Sequence, residues 1–388
     1  MHFDLTTEQT EIQLAVRKLA GTFSDDYWLE HDQNHEFPWD FYKAFAEGGW
    51  LGIAIPEEFG GGGLGITEAS LLLEEVAASG AAMNGCSAMH LTIFGMNVVV
   101  KHGTQELKQR TLPDVVSGDL HVCFAVTEPD AGTDTSRITT RAVRTDGGYI
   151  VNGRKVWTTK AGYSQKMILL TRTTPLEEVE KPTDGMTLFL ADLDPESVEV
   201  RAIPKMGRNA VPSYETYIDG LFVSEADRIG EEGEGFKLLL DGLNPERILL
   251  AHESLGIGRA ALRRAVQYAG ERVVFDRPIG QNQGIQFPLA QALAQLDAAE
   301  LVARKAAWLY DQGLPCGREA NTAKLLCADA GFFAADRAVQ THGGFGYASE
   351  YHVERYFREA RLMQLAPVSQ ELALSYLATK VLGLPRSY

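Results

Sequence analysis

The sequence predicts an α–β–α chain: an N-terminal helical segment over 1–120, a middle antiparallel β segment over 121–228 and a C-terminal helical bundle over 229–388. Three observations carry that reading. Apolar residues recur with a period near 3.6 up to about residue 118. Short β-branched and aromatic runs separated by turn dipeptides follow, and three long amphipathic stretches close the chain.

Taken in order, "MHFDLTTEQTEIQLAVRKLA" reads as an amphipathic helix with Leu5, Ile12, Val16 and Leu19 on one side. "ITEASLLLEEVAASGAAM" keeps the helical period. Just before it, Gly60-x-Gly62-x-x-Gly65 matches a dinucleotide fingerprint letter by letter. Pro56, Glu57 and Glu58 precede it where a strand is needed, and no acidic residue stands near position 84, so it reads as a flexible loop. In the middle segment, "RAVRTDGGYIVNGRKVWTT" holds two turn signals, Asp146-Gly147-Gly148 and Asn152-Gly153, which predict a β-meander. "KMILLTRTT", "GMTLFLADL" and "YETYIDGLFV" continue it. The last third carries "IGRAALRRAVQYAGERVVF", "FPLAQALAQLDAAELVARKAAWLYDQG" and "GREANTAKLLCADAGFFAADRAVQTHG", each long enough for a bundle helix.

Composition narrows the function. Apolar residues make up 45% and charged residues 23% of 388, enough for a sizeable core. A net charge of -16 argues against nucleic acid and anionic membranes as partners. No apolar run approaches a membrane span, and the N-terminus lacks the basic and hydrophobic blocks of a secretory signal. Cys86, Cys123, Cys316 and Cys327 are scattered, with no CxxC pair, so a reducing, cytoplasmic compartment is expected and no metal.

Two segments carry chemistry. "CFAVTEPDAGTDTS", 123–136, ends a strand-like run in Thr127, Glu128 and Pro129 and continues as a loop of hydroxyls and glycine. Such a loop suits the polar edge of a planar heterocycle, and equally a turn held by its own side chains. Further on, "VWTTKAG" places Trp157 and Thr159 two apart on a strand end, hence on one side, as a flat shield beside a hydroxyl.

Together these residues resemble the acyl-CoA dehydrogenase family of flavoproteins over nearly the whole chain. "TEPxAGxD", "NGxKxWxT", "ERxxFxxPIxxxQ" from Glu271 to Gln283 and "QxxGGxGY" from Gln340 to Tyr347 occur in family order. The resemblance implies FAD held between the middle and C-terminal parts, homotetramers with FAD sites at a dimer interface, and electron-transfer flavoprotein as the electron acceptor. It implies that Phe124, Ala125, Val126, Thr127 and Thr133 line the isoalloxazine, that Trp157 packs against it and that Thr159 bonds near N5. Arg272, Phe275, Gln283, Gln340, Gly343 and Gly344 match positions that hold the rest of FAD across the dimer, and Val368, Ser369 and Gln370 match further cofactor contacts. Thr133, Asn244, Arg247 and Ala366 match substrate contacts, the Ala366 N–H as an oxyanion donor.

The implied reaction is αβ-dehydrogenation of an acyl-CoA thioester to the 2-enoyl-CoA, which requires a carboxylate base at Cα. Many members carry it in "YEGTSQ" near the C-terminus. Here "LAPVSQ" puts Ala366 at that place. The isovaleryl-CoA and long-chain branches carry the base on an earlier helix, in a segment like "LDLERLVLA", and "LNPERILLA" aligns Glu246 with it. Read locally, Asn244-Pro245 is a helix-start signal that would make Glu246 a first-turn capping charge. Under the resemblance it is the base, its pKa lowered by the helix N-terminus and Arg247 and raised only once substrate excludes water. Asp276 departs from the usual glycine without an account, and chain length and branching of the acyl group stay open.

Overall fold

The computed structural model describes residues 4–387. Six helices come first: α1 Thr7–Ala20, α2 Asp25–Asn34, α3 Trp39–Glu47, α4 Ile66–Val76, α5 Ala82–His102 and α6 Gln105–Ser117. Eight strands follow: β1 Val122–Ala125, β2 Arg141–Thr145, β3 Gly148–Thr159, β4 Lys166–Arg172, β5 Met186–Asp192, β6 Val198–Ala202, β7 Ser213–Ser224 and β8 Arg228–Ile229. The 37-residue α7, Gly235–Glu271, opens the last part. A small hairpin, β9 Val273–Val274 and β10 Arg277–Pro278, then leads to α8 Gln283–Asp311, α9 Gly317–His342, α10 Val353–Leu365 and α11 Gln370–Tyr376. The α–β–α order is as predicted. No helix among the described residues is long and apolar enough to cross a membrane.

Local signals hold where the chain bonds to itself. Thr6 caps α1 in a reciprocal pair with Gln9, leaving Leu5 outside the helix, while Ile12, Val16 and Ala20 face the core. "ITEASLLLEEVAASGAAM" is not one helix: it breaks at Gly80 (φ 110°), whose carbonyl accepts from Arg355 Nη2 at 2.7 Å. The glycine-rich segment before α4 is a packed loop rather than a flexible one. Gly62, Gly63 and Leu64 N–H groups bond back to Gly52, Ile55 and Ile53, and a Cβ on Gly61 would stand 2.1 Å from the Ile55 carbonyl oxygen.

The sheet departs from the predicted meander. Its order is β6-β7-β3-β2-β4-β5-β8, with β1 added against β4. Most pairs are antiparallel, but β1–β4 and β2–β4 run parallel. Hairpin signals report only sequence neighbours, whereas the twelve-residue β3 takes the distant, equally long β7 as partner. Asn152-Gly153, expected as a turn, lies within β3. There β7 bulges, placing Asp219 and Gly220 opposite Asn152, whose Oδ1 accepts from Gly220 N at 2.8 Å. Gly153 is required by packing, since a Cβ would lie 2.4 Å from Thr140 Oγ1. Asp276 also finds its reason: Phe275 (φ 52°) and Asp276 (φ 62°) form the two-residue link of the β9–β10 hairpin, where both residues must be left-handed. Asp tolerates that conformation nearly as glycine does.

The helical core joins both ends of the chain. α7 packs against α9, α4, α8 and α5 and is buried on most of its circumference. Long-range capping contributes. Asp311, at the end of α8, accepts from Ile66 N (2.8 Å), Thr67 N (2.9 Å) and Thr67 Oγ1 (2.5 Å), satisfying the first turn of α4 where Gly65 has no side chain to do so. Asp311→Ala is expected to cost about 1–2 kcal/mol, the usual worth of a helix cap, seen as a lower denaturant midpoint with an unchanged slope.

Candidate active site

A cavity of about 1020 Å³ opens where α5, α7, the ends of β1 and β3, and the α10–α11 turn meet. The β1 end supplies Phe124, Val126 and Thr127, the following loop Thr133, and the β3 end Trp157 and Thr159. The loop is held by Glu128. Its carboxylate accepts from Thr139 N (2.7 Å), Thr139 Oγ1 (2.8 Å), Thr140 N (2.9 Å), Thr140 Oγ1 (2.5 Å) and Lys155 Nζ (2.9 Å). Burial alone would raise its pKa; Lys155 and the other donors outweigh that and hold it down to about 2. Glu128 is thus consumed by the scaffold, leaving the neighbouring hydroxyls for a ligand.

A bulge aims the aromatic shield. Between the pairs Lys155–Thr216 and Thr158–Tyr214, Val156 and Trp157 stand against Glu215 alone. Trp157 takes φ 62° and is 54% exposed, and it lines the cavity together with Thr159. They share the cavity as expected, through the bulge rather than by simple alternation. Ala125 is a correction: strand alternation sends it to the opposite face, fully buried in the cluster of Cys123, Met167 and Phe189.

Helix α7 crosses the cavity with Leu239, Leu243, Glu246, Arg247 and Leu250 on its lining face. The expected helix start at Asn244-Pro245 is overturned. The helix begins at Gly235 and runs continuously through Pro245, because Leu238 and Leu239 before it and Ile248 and Leu249 after it are all buried. Asn244 caps nothing. Its Oδ1 accepts from Arg247 Nη1 at 3.2 Å and orients that guanidinium. Glu246 therefore has no helix N-terminus to lower its pKa. It is 6% exposed, with no hydrogen-bond or ion-pair partner among the described residues. Burial raises its pKa to about 7 against the opposing pull of His90 and Arg247. The expectation that the rise waits for substrate is corrected: burial among its neighbours already raises it in the free protein.

Ala366, Val368 and Ser369 line the same cavity. The Ala366 N–H, expected as an oxyanion donor, is committed to the Leu362 carbonyl at 3.0 Å, closing α10. Ser369 Oγ caps α11 through Leu372 N at 3.3 Å, and Gln370 turns to Asp329 on α9, outside the cavity. A second cavity of about 620 Å³ gathers Arg272, Gly343 and Gly344. Gly343 (φ 60°) and Gly344 leave open space where a side chain would stand, so a phosphate or adenine could approach the backbone. Phe275 (93% exposed), Gln283 and Gln340 lie on the surface outside both cavities.

Sequence reasoning missed His90, Ser87 and Arg208, which also line the main cavity. His90 Nδ1 lies 2.9 Å from Glu253 Oε1 in a buried pair. A single histidine inside a helical apolar run carries no local signal of this pairing.

An α–β–α chain here sets a buried carboxyl in one cavity with an indole and several hydroxyls. The chain belongs to the acyl-CoA dehydrogenase family. The N-terminal, middle and C-terminal domains of acyl-CoA dehydrogenase match residues 6–119, 123–221 and 233–382. It is 36% identical over 383 residues to an acyl-CoA dehydrogenase of Mycobacterium tuberculosis, covering 98% of this chain and 97% of that one. It is 35% identical to the benzylmalonyl-CoA dehydrogenase of Aromatoleum aromaticum, with 98% and 100% covered. Among solved structures, a glutaryl-coenzyme A dehydrogenase in complex with glutaryl-CoA superposes with a TM-score of 0.93 at 27% identity, covering 100% and 98%. The protein is an oxidoreductase of this flavoprotein family.

The buried carboxyl makes a stability prediction. Its folded pKa exceeds its unfolded value of 4.5, so the stability it lends as a neutral acid is full below pH 4.5 and lost as pH rises through 7. Glu246→Gln should match wild type in stability at pH 4.5 and exceed it by about 3 kcal/mol at pH 8 in denaturant melts. Parallel pH profiles of the two proteins would show that the carboxyl is not desolvated.

Proposed function

We propose that the protein catalyses FAD-dependent αβ-dehydrogenation of an acyl-CoA thioester, with Glu246 as the base, and passes the electrons to an electron-transfer flavoprotein. The observation that carries this reading is Glu246 itself: a buried, partnerless carboxyl lining the cavity beside Ala366, where the alternative base position holds none. The division at 120 and 228 assigns the flavin wall to the middle part and the base to the last.

The residues present fit a flavin. Trp157 offers an open aromatic face, and the Thr127 and Thr133 hydroxyls have no hydrogen-bond partner among the described residues. Thr159 Oγ1 accepts from Arg208 Nη2 at 3.3 Å, leaving its own O–H to donate. Arg272, Gly343 and Gly344 suit the phosphate and adenosine part, with Phe275, Gln283 and Gln340 presented to a neighbouring subunit in a homotetramer, or at least a dimer. Bound FAD supplies the acceptor for the hydride that leaves Cβ.

The chain's own task is the α-proton. A thioester α-C–H is far too weakly acidic for an ordinary carboxylate in water. With a pKa of about 7, Glu246 narrows the transfer gap by about 3 kcal/mol relative to a free glutamate. Glu246 accepts the proton on a carboxyl oxygen, and the apolar walls from Leu239, Leu243 and Leu250 favour the neutral acid it becomes. Arg247, oriented by Asn244, together with Lys380 and Arg386 gives the cavity cations suited to the CoA phosphates. The four cysteines are free and buried, which supports a reducing, cytoplasmic setting.

Mixing anaerobic protein with acyl-CoAs and following flavin bleaching tests the reading directly. Glu246→Gln is expected to keep FAD and bind acyl-CoA yet reduce flavin about 10²–10⁴-fold more slowly. Ala366→Glu in that background should restore part of the rate, since both positions face one cavity. Wild-type reduction should rise tenfold per pH unit below 7 and level off above, because the base must be ionised to act. Reduction by Glu246→Gln at the wild-type rate would refute the assignment. Sedimentation of the FAD-replete protein as a monomer would remove the shared-site part.

A further inference from the structure

Within the proposed acyl-CoA reaction, we infer that the acyl chain of the substrate carries a carboxylate at its far end, received by Arg208 with Ser87 and His90, so that the enzyme prefers monothioesters of dicarboxylic acids to those of simple fatty acids.

The inference starts from a cation without a counter-ion. Arg208 lines the main cavity, yet among the described residues no carboxylate lies within ion-pair distance of it. Its guanidinium is held by neutral hydroxyls alone: Nη2 donates to Ser213 Oγ at 2.6 Å and Thr159 Oγ1 at 3.3 Å, and Nη1 to Ser87 Oγ at 3.4 Å. Its Nε is buried with no partner. Hydroxyls fix the direction of the fork without neutralising it, which leaves the charge available to a ligand anion. Burial lowers its pKa to about 10, so it stays cationic at neutral pH, aided at longer range by Glu359 and Glu253.

The backbone that carries Arg208 is built for the purpose. The residue sits at φ 57°, an uncommon conformation for a long side chain. Lys205 Nζ bonds the carbonyls of Gly207 (3.0 Å) and Arg208, Asp32 Oδ1 accepts from Asn209 N at 3.0 Å, and Asn84 Oδ1 accepts from Ala210 N at 3.0 Å. A surface loop would not need three side chains clamping it through four hydrogen bonds to present an arginine inward.

Its place relative to the base fixes what it can meet. His90, on α5, lines the same cavity as Glu246 and Arg208. Ser87 is one helical turn before His90 on the same lining face. The cavity that holds Glu246, His90 and Arg208 is also lined by the apolar Met83, Leu91, Phe94 and Leu250. A chain whose α-carbon stands at Glu246 would pass apolar walls and end at a guanidinium. A methyl terminus there would leave the buried cation unpaired, whereas a carboxylate pairs it and takes the Ser87 hydroxyl as a further donor.

The test compares, at each carbon count from four to six, a straight-chain acyl-CoA with the diacid monothioester of the same length. The pairs are butyryl with succinyl, pentanoyl with glutaryl and hexanoyl with adipyl. Anaerobic flavin bleaching by either member of any pair upholds the dehydrogenase reading; bleaching by none overturns this inference, while the dehydrogenase reading rests on the wider series of acyl-CoAs. The inference expects the diacid to win by at least tenfold in kcat/KM for one length, with the advantage residing in KM. Arg208→Gln should cut that ratio at least tenfold, and Arg208→Lys should keep part of it. A wild type that favours the simple acyl chain at every length overturns the inference while leaving the dehydrogenase intact. So does an Arg208→Gln protein that slows both members equally, which would make Arg208 a support for Thr159 alone. The wild-type comparison stands even if a variant fails to fold.

Discussion

The burial of α7 is the constraint on which the rest of the site depends. A carboxyl on a surface helix stays near 4.5 and is useless against a thioester α-proton, whatever its alignment. Glu246 escapes that fate because α7 threads between the first and last helical layers, with α4 and α5 on one side and α8 and α9 on another. Two buried histidine–carboxylate contacts fasten it in register: His252 Nδ1 to Glu74 Oε2 at 2.7 Å and His90 Nδ1 to Glu253 Oε1 at 2.9 Å. Pairs of this kind add little net stability, but they penalise any slip of the helix that would part them. The register they hold sets Glu246 into the cavity and Leu249 into the core.

The flavin-facing wall follows a different rule. Its scaffold is saturated so that its edge can stay unsatisfied. Glu128 takes five hydrogen bonds from the loop and from Lys155, and Lys155 gives another to the Val126 carbonyl at 3.0 Å. With those groups spent on each other, the Thr127 and Thr133 hydroxyls and the indole of Trp157 have no internal demand on them. The bulge at Val156–Trp157 converts a strand end into a platform, a common use of an extra residue beside a functional site.

Some charged groups on the cavity wall are left without partners. Glu246 lacks any, and Arg208 Nε and Arg247 Nε are buried without one. Each carries a desolvation cost that a core built for stability alone would avoid. Glu246, Arg208 and Arg247 line one space, and their unmet demand is the mark of a site maintained at the expense of stability.

The sequence by itself determined the order of helical and strand regions, since period and turn chemistry are local properties of the chain. It also determined the family motifs and the presence of a carboxylate at position 246 and of none at 366, because both are matters of which side chain is present. The tertiary structure decided what local chemistry cannot. Asn244-Pro245 reads as a helix start, but packing on both sides carries α7 straight through it. Asn152-Gly153 reads as a turn, but a distant strand bulges to keep it extended. Ala366 keeps an N–H in any sequence, and only the fold commits it to Leu362. Arg208 looks like one surface arginine among many until the clamped loop turns it inward. In every such case the deciding partner lies far along the chain, and the energy of burial against it exceeds the local preference it overrides.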